Sequence, residues 1–328
     1  MATYKGIQGF TIQNLSADPS NPIEGQVWYN STSNVWKVEE ATTAGSWATG
    51  GNLGTGRVLL AGAGTQTAGL AFGGNIPPYT GATEEYDGST WSPGGNLGSP
   101  RAELAGCGIQ TSALAFGGKE PPGSTTNVTE EYDGSTWSPG GNLSTARNTL
   151  AGAGTQTAGL GFGGSLPGLS NATEEYDGST WTSSNNMNTA RYGLGGAGTQ
   201  TAALGFGGFV PGPAVTGATE EYNGTSWATN PGSLNTAREF LAGAGTQTAA
   251  LGFGGNAPPQ TGATEEYDGT SWTSNPTGLN TARQQLAGAG TQPAALAFGG
   301  YVGTPTFSSA TEEWTGAGAG VTKTITVS

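Results

Sequence analysis

A unit of about 45 residues recurs six times along this chain, and that repeat limits what the chain can fold into. Trp47, Trp91, Trp137, Trp181, Trp227 and Trp272 follow one another at intervals of 44, 46, 44, 46 and 45 residues. Arg57, Arg101, Arg147, Arg191, Arg238 and Arg283 step by 44, 46, 44, 47 and 45. Phe-Gly-Gly triplets beginning at Phe72, Phe116, Phe162, Phe206, Phe253 and Phe298 keep the same pace. So do Thr-Glu-Glu-aromatic runs ending at Tyr86, Tyr132, Tyr176, Tyr222, Tyr267 and Trp314. Residues 44–316 belong to the repeat, with 1–43 before it and 317–328 after it. A unit this short cannot bury its apolar face alone, so it must stack on its neighbours.

Each unit reads as four short strands. In the third, strand a spans 147–156, strand b 157–164, strand c 172–176 and strand d 179–182. Asp177-Gly178 stands between c and d, and Asp-Gly or Asn-Gly recurs there at residues 87–88, 133–134, 223–224 and 268–269. Such a pair predicts a type I′ hairpin turn, which needs positive φ at both central residues. No segment keeps a helical period. The class is therefore all-β, and six four-stranded units read as a six-bladed β-propeller. Trp47 has no Glu-Glu-Tyr before it, and Trp314 has no strand-d Trp after it. The segment Gly45-Ser46-Trp47 is thus expected to supply the last unit's outer strand and close the ring, which removes an exposed edge.

The order Arg, Phe-Gly-Gly, Tyr-Asp-Gly, Trp resembles the kelch repeat, and the resemblance covers all six units. The units depart from that pattern in carrying Ala-Gly-Ala-Gly in strand a and no aromatic just before the Phe. The resemblance implies a kelch-like propeller. Kelch-fold oxidases share that fold, but their copper site needs His and a modified Cys–Tyr pair, and this chain has no His. Glycine makes up 61 of 328 residues, about 19%, against roughly 7% in ordinary proteins. Alone that would suggest a disordered polymer. The period gives the glycines addresses instead, and strand a, expected to line the crowded axis, needs small residues such as Gly62, Ala63 and Gly64. Leu60, Leu70, Phe72 and Trp91 are expected to fill the space between neighbouring units.

Other counts remove classes of function. The lack of His excludes His-dependent triads, His-ligated metals and His acid–base chemistry. One cysteine, Cys107, allows no intrachain disulfide; it stands where other units have Ala and reads as a small buried residue. Net charge is −13, from 10 basic and 23 acidic residues, with no basic stripe, so nucleic acid is not an expected partner. No apolar run approaches the roughly 20 residues that cross a bilayer, and Met1–Lys5 leads into polar sequence unlike a signal peptide. The chain is expected to be made in the cytoplasm, without membrane insertion. All six arginines belong to the repeat. They and the six repeat tryptophans are expected to be structural, the arginines bonding carbonyls between units. Of each Glu-Glu pair, one carboxylate is expected to face solvent and the other to meet the Arg. Paired carboxylates can serve a glycosidase, but six equal copies argue against one active site. No enzyme activity, cofactor or metal is expected.

The copies differ in two places. The b–c loops, Asn75–Gly81, Lys119–Asn127, Ser165–Asn171, Phe209–Gly217, Asn256–Gly262 and Tyr301–Ser309, have lengths 7, 9, 7, 9, 7 and 9. The two residues after each Arg also vary. Because strands alternate in direction, both sets should meet on one face, near the mouth of the axial channel. Tyr79, Glu103, Lys119, Tyr192, Phe209, Glu239, Phe240, Tyr301 and Phe307 fall in these places. Binding residues favour loops on a rigid scaffold, and aromatics are enriched at recognition surfaces. These nine are the candidate ligand-binding residues.

Before the repeat, residues 25–38 read as a hairpin. The stretch Pro22-Ile23-Glu24-Gly25-Gln26-Val27-Trp28-Tyr29-Asn30-Ser31 resembles a short element of bacteriophage tail-fibre and other virion proteins. Thr322–Val327 alternates like an edge strand that would pair with the N-terminal segment or join a blade. The resemblance implies a virion tail-fibre or appendage protein, attached to other virion proteins through residues 1–43. Its propeller would then present a face to a host receptor or glycan. The alternatives are an intracellular kelch-type protein-interaction module and a lectin-like propeller with no virion role. Homo-oligomerisation is left open.

Overall fold

In a computed structural model of the chain, residues 13–19, 26–41, 44–212, 214–303, 306–318 and 320–325 are described. Every regular element among them is a β-strand. The chain divides into two units, Met1–Gly45 with Gly316–Ser328, and Ser46–Thr315.

The larger unit holds six four-stranded sheets among the described residues. Their first strands are Ala61–Thr65, Ala105–Ile109, Ala151–Thr155, Gly195–Thr199, Ala242–Gly245 and Ala287–Thr291. The third sheet runs Ala151–Thr155, Ala158–Phe162, Thr173–Tyr176, Trp181–Ser184, antiparallel throughout. Strand a is shorter than 147–156. Asn148 makes only an isolated bridge to Ser165, and Thr149 has a φ of 50°, which ends a strand. Ser46–Thr49 forms the outer strand of the sixth sheet, with Trp47 opposite Trp314. The architecture is propeller-like: all-β, with repeated four-stranded antiparallel sheets.

The c–d link corrects the turn type. Tyr176 pairs with Trp181, so four residues make the loop, and only Gly178 has positive φ. The Asp177 carboxylate accepts the Ser179 and Thr180 backbone N–H groups at 2.9 and 2.7 Å. Aspartate is there as a side-chain acceptor that folds the turn, not as a left-handed residue of a type I′ pair.

Apolar side chains are buried between neighbouring sheets. Leu70 and Phe72 of the first sheet pack with Leu104, Ala113 and Tyr132 of the second, and Leu296 and Phe298 of the sixth pack with Leu60 and Tyr86 of the first. Each repeat Trp crosses the same gap. Trp227 lies 4.9 Å, centroid to centroid, from Phe162 and donates to Thr173 Oγ1 at 2.9 Å. The first strands abut so closely that a Cβ on Gly152 would come within 2.8 Å of Gly106 O, and one on Gly62 within 2.8 Å of Gly288 O. That approach explains glycine in strand a.

One Glu of each pair meets the Arg as expected, but the arginine's carbonyls and the second Glu differ from expectation. Arg147 is fully buried, and its guanidinium serves its own sheet rather than bridging two. It donates to Gly163 O and Ala172 O at 2.9 and 2.7 Å and pairs with Glu174 at 2.9 Å. The other five arginines pair likewise with the first Glu of their own unit. The second Glu does not simply face water. Glu131 is half-buried and accepts the Tyr176 hydroxyl of the next sheet at 2.5 Å. Glutamine of the a–b turn is a further tie that the sequence reading did not find. Gln156 Nε2 donates to Ala113 O and Tyr132 O of the preceding sheet at 3.1 and 2.7 Å. All six glutamines do this, and Gln66 reaches Ala295 O and Trp314 O of the sixth sheet.

The smaller unit is one sheet in the order Gln13–Leu15, Val27–Asn30, Val35–Ala41, Gly320–Ile325. The expected hairpin turns at residues 31–34, and the C-terminal strand pairs with its second arm rather than with a repeat sheet. Asp18 gathers Lys37 Nζ, Asn30 Nδ2 and the buried Trp28 Nε1 at 2.6, 2.7 and 3.1 Å. The Lys37 bond, helped by the other two, holds the Asp18 carboxyl down at about 2. Pro22–Gly25 of the virion-like stretch lie outside the described residues.

Candidate functional site

The two variable sets meet through the backbone. In every repeat the residue after Arg bridges the first residue after Phe-Gly-Gly: Val58 to Asn75, Ala102 to Lys119, Asn148 to Ser165, Tyr192 to Phe209, Glu239 to Asn256 and Gln284 to Tyr301. The following residue is left-handed in all six. Leu59, Glu103, Thr149, Phe240 and Gln285 have φ between 50° and 59°, and Gly193 has 61°. Their amides form a cycle: each N–H donates to the carbonyl of its counterpart one repeat earlier, and Leu59 donates to Gln285 O at 2.9 Å. A left-handed non-glycine residue is strained, and this bond is what each one gains. Under the cycle lie six leucines, Leu60, Leu104, Leu150, Leu194, Leu241 and Leu286, each 6% exposed. They floor a cavity of about 100 Å³ rimmed by the left-handed residues.

A larger cavity of about 330 Å³ adjoins it, sharing Leu59, Glu103, Thr149, Phe240 and Gln285. It brings together four of the nine candidates: Glu103, Lys119, Tyr192 and Phe240. Lys119 Nζ lies 3.0 Å from a Glu103 carboxylate oxygen. The Tyr192 ring meets Phe240 at 5.7 Å and stacks on Phe209 at 5.2 Å, so Phe209 braces the wall from behind. Glu239 stands beside this cluster. Asn256 Nδ2 donates to one of its oxygens at 3.3 Å, and the other is buried with no hydrogen-bond partner. Burial raises the Glu239 carboxyl above its ordinary range, and burial together with the Glu239 charge raises the Tyr192 hydroxyl.

The other candidates fall elsewhere. Tyr79 bridges Asn75 within the first b–c loop through that residue's backbone, and Tyr301 pairs with Phe307 across the sixth loop. None of the three lines the cavity. The reading by aromatic and charged type passed over Leu59, Asn148, Thr149, Ser165 and Gln285, which do line it. The signal was present: Gly193 occupies in one repeat the place that the other five fill with larger residues. Cys107 is buried, its thiol pushed up to about 12 by desolvation, so it is an inert wall residue as expected.

No protein-family model matches the chain. No curated protein matches it either. No helix of the described residues is long and apolar enough to cross a membrane.

Proposed function

We propose that the chain is a bacteriophage virion protein, a tail fibre or appendage, whose repeats close into a six-bladed kelch-like propeller that presents a receptor- or glycan-binding face. One observation carries the binding face. The residues that line one cavity come from positions that differ between repeats, Glu103, Lys119, Tyr192 and Phe240 among them, while the repeated Arg, Glu, Trp and Gln side chains are consumed in holding sheets together. Closure is supported by the amide cycle returning to Leu59 and by the sixth sheet taking Ser46–Thr49. Binding without chemistry is supported by the Glu-Glu pairs, whose carboxylates meet Arg, Tyr or, at Glu266, Asn275 rather than each other. The virion assignment, with the smaller unit docking on other virion proteins, rests on the resemblance of Pro22–Ser31. The alternative is a kelch-type module that binds an intracellular protein. Mass spectrometry of purified particles made by the encoding genome tests the choice. The chain is expected among the structural proteins. Its absence from particles, with metabolic genes as neighbours, overturns the virion reading.

A further inference from the structure

We infer that the cavity between the Glu103–Lys119 pair and the Tyr192–Phe240 wall is a subsite for one uncharged pyranose ring. This rests on the binding-face reading above and gives it a ligand class. The volume, about 330 Å³, lies at the small end of ligand pockets, which span roughly 300–1,000 Å³. One wall is aromatic, and Phe209 behind Tyr192 limits how far that ring can turn. Another wall holds an ion pair whose side chains are 14% and 31% exposed, so it can still be reached by a ligand. A pyranose has complementary surfaces: a face of C–H bonds that packs on aromatic carbon, and a rim of hydroxyls that both donate and accept. A pair of neighbouring hydroxyls can donate to the Glu103 carboxylate and accept from the Lys119 ammonium, with Gln285 offering a neutral amide.

The charge pattern selects among ligands. Lys119 is already neutralised at 3.0 Å by Glu103. An anionic sugar would find no free cation on this wall, and Glu239 nearby would oppose it. Large exposed apolar patches mark protein–protein sites. The exposed large apolar side chains among the described residues are Trp36, Ile109 and Ile325, and none lines this cavity. Among the described residues the site occurs once. Tyr192 has Val58, Ala102, Asn148, Glu239 and Gln284 as its counterparts, and none is aromatic.

The test uses the full chain with methyl glycosides of glucose, galactose, mannose, rhamnose and the two N-acetylhexosamines, beside glucuronic and sialic acid glycosides. Saturation-transfer NMR reads which protons touch the protein, and calorimetry reads affinity and stoichiometry. At least one neutral glycoside should bind, one per chain, with its ring C–H protons most strongly saturated. Tyr192→Ala and Phe240→Gly should each weaken it at least about tenfold, while Tyr192→Phe should retain binding. Phe240→Gly suits the left-handed backbone, since Gly193 already occupies that place in another repeat. Binding of acidic glycosides only, several equal sites, no neutral binding, or neutral binding indifferent to both variants each overturns the subsite. Adsorption of the chain to host cells separates the two levels. If both variants reduce adsorption but no neutral glycoside competes, the sugar class is wrong and the face stands. If the variants adsorb like the parent, the face itself is wrong.

Discussion

Replacing Gln66 by Ala tests whether the first and last sheets hold each other in solution. Gln66 Nε2 donates to Ala295 O at 3.2 Å and Trp314 O at 2.5 Å, so this side chain ties the first repeat to the sixth. Gln200 makes the equivalent bonds, to Gly159 O and Tyr176 O, between two repeats adjacent in sequence. Each such bond contributes a net ~0.5–1.5 kcal/mol, so the pair contributes about 1–3 kcal/mol. Freeing the glutamine rotamers returns part of this, up to roughly 1.5–2 kcal/mol for a fully ordered side chain. The half-buried Gln66 should return about 0.5–1 kcal/mol, leaving a loss of about 0.5–2 kcal/mol. For a unit of this size that lowers the melting temperature by roughly 1–8 °C. Urea titration with unchanged slope measures the same quantity. If the sheets form a closed ring, Gln66→Ala and Gln200→Ala cost about the same. A loss at Gln200 with none at Gln66 would show that the sixth and first sheets part in solution, and the closed-propeller reading would fail.

Arg191→Met should cost about 3–5 kcal/mol, because it leaves buried Glu220 without its cation; adding Glu220→Gln should recover part of this in urea titrations. Trp227→Ala should cost about 3–5 kcal/mol, and Trp137→Ala less, since Trp227 is buried and Trp137 only partly so; matched melts decide. Hydrogen bonds led by those of the Thr90, Thr136 and Thr180 amides and the Thr270 hydroxyl hold Asp87, Asp133, Asp177 and Asp268 down from 3.8 to about 2. Their folded values lie below the unfolded one, so their contribution is present above about pH 4 and lost as pH falls towards 2. Carboxyl NMR reads those values directly, and ordinary ones would refute the turn geometry. Glu239 has the opposite sign. Its carboxyl is raised by burial, so stability falls as pH rises through its folded value, and Glu239→Gln should be more stable than the parent at neutral pH and flatten that dependence. A less stable Glu239→Gln would mean that the unpartnered oxygen has a partner.

The repeat, the all-β class, the order of four strands per unit, the borrowed outer strand at Trp47 and the hairpin at residues 31–34 were legible in the sequence. Each is stated by local chemistry: a period, a Gly that permits a turn, or a unit lacking one strand. The same signals suggested where variation converges, because strand direction follows from strand count. What the tertiary structure alone decided was which polar groups meet. Asp177 looked like a left-handed turn residue until its carboxylate was seen to hold two amides. Gln156 looked like a loop residue, yet its partners are carbonyls of the preceding repeat. Arg147, expected to bond carbonyls between repeats, serves its own sheet, and Glu131, expected to face solvent, takes the next sheet's Tyr176, since residue type gives charge but not reach. Leucine at position 59 hides its left-handed φ, because leucine does not favour that conformation and only the amide cycle imposes it. Of the nine candidates the fold gathered four into one cavity and lined the rest of it with neutral residues. Periodicity is carried by residues near in sequence. A site is made by residues from separate repeats, and their distances exist only once the sheets have packed.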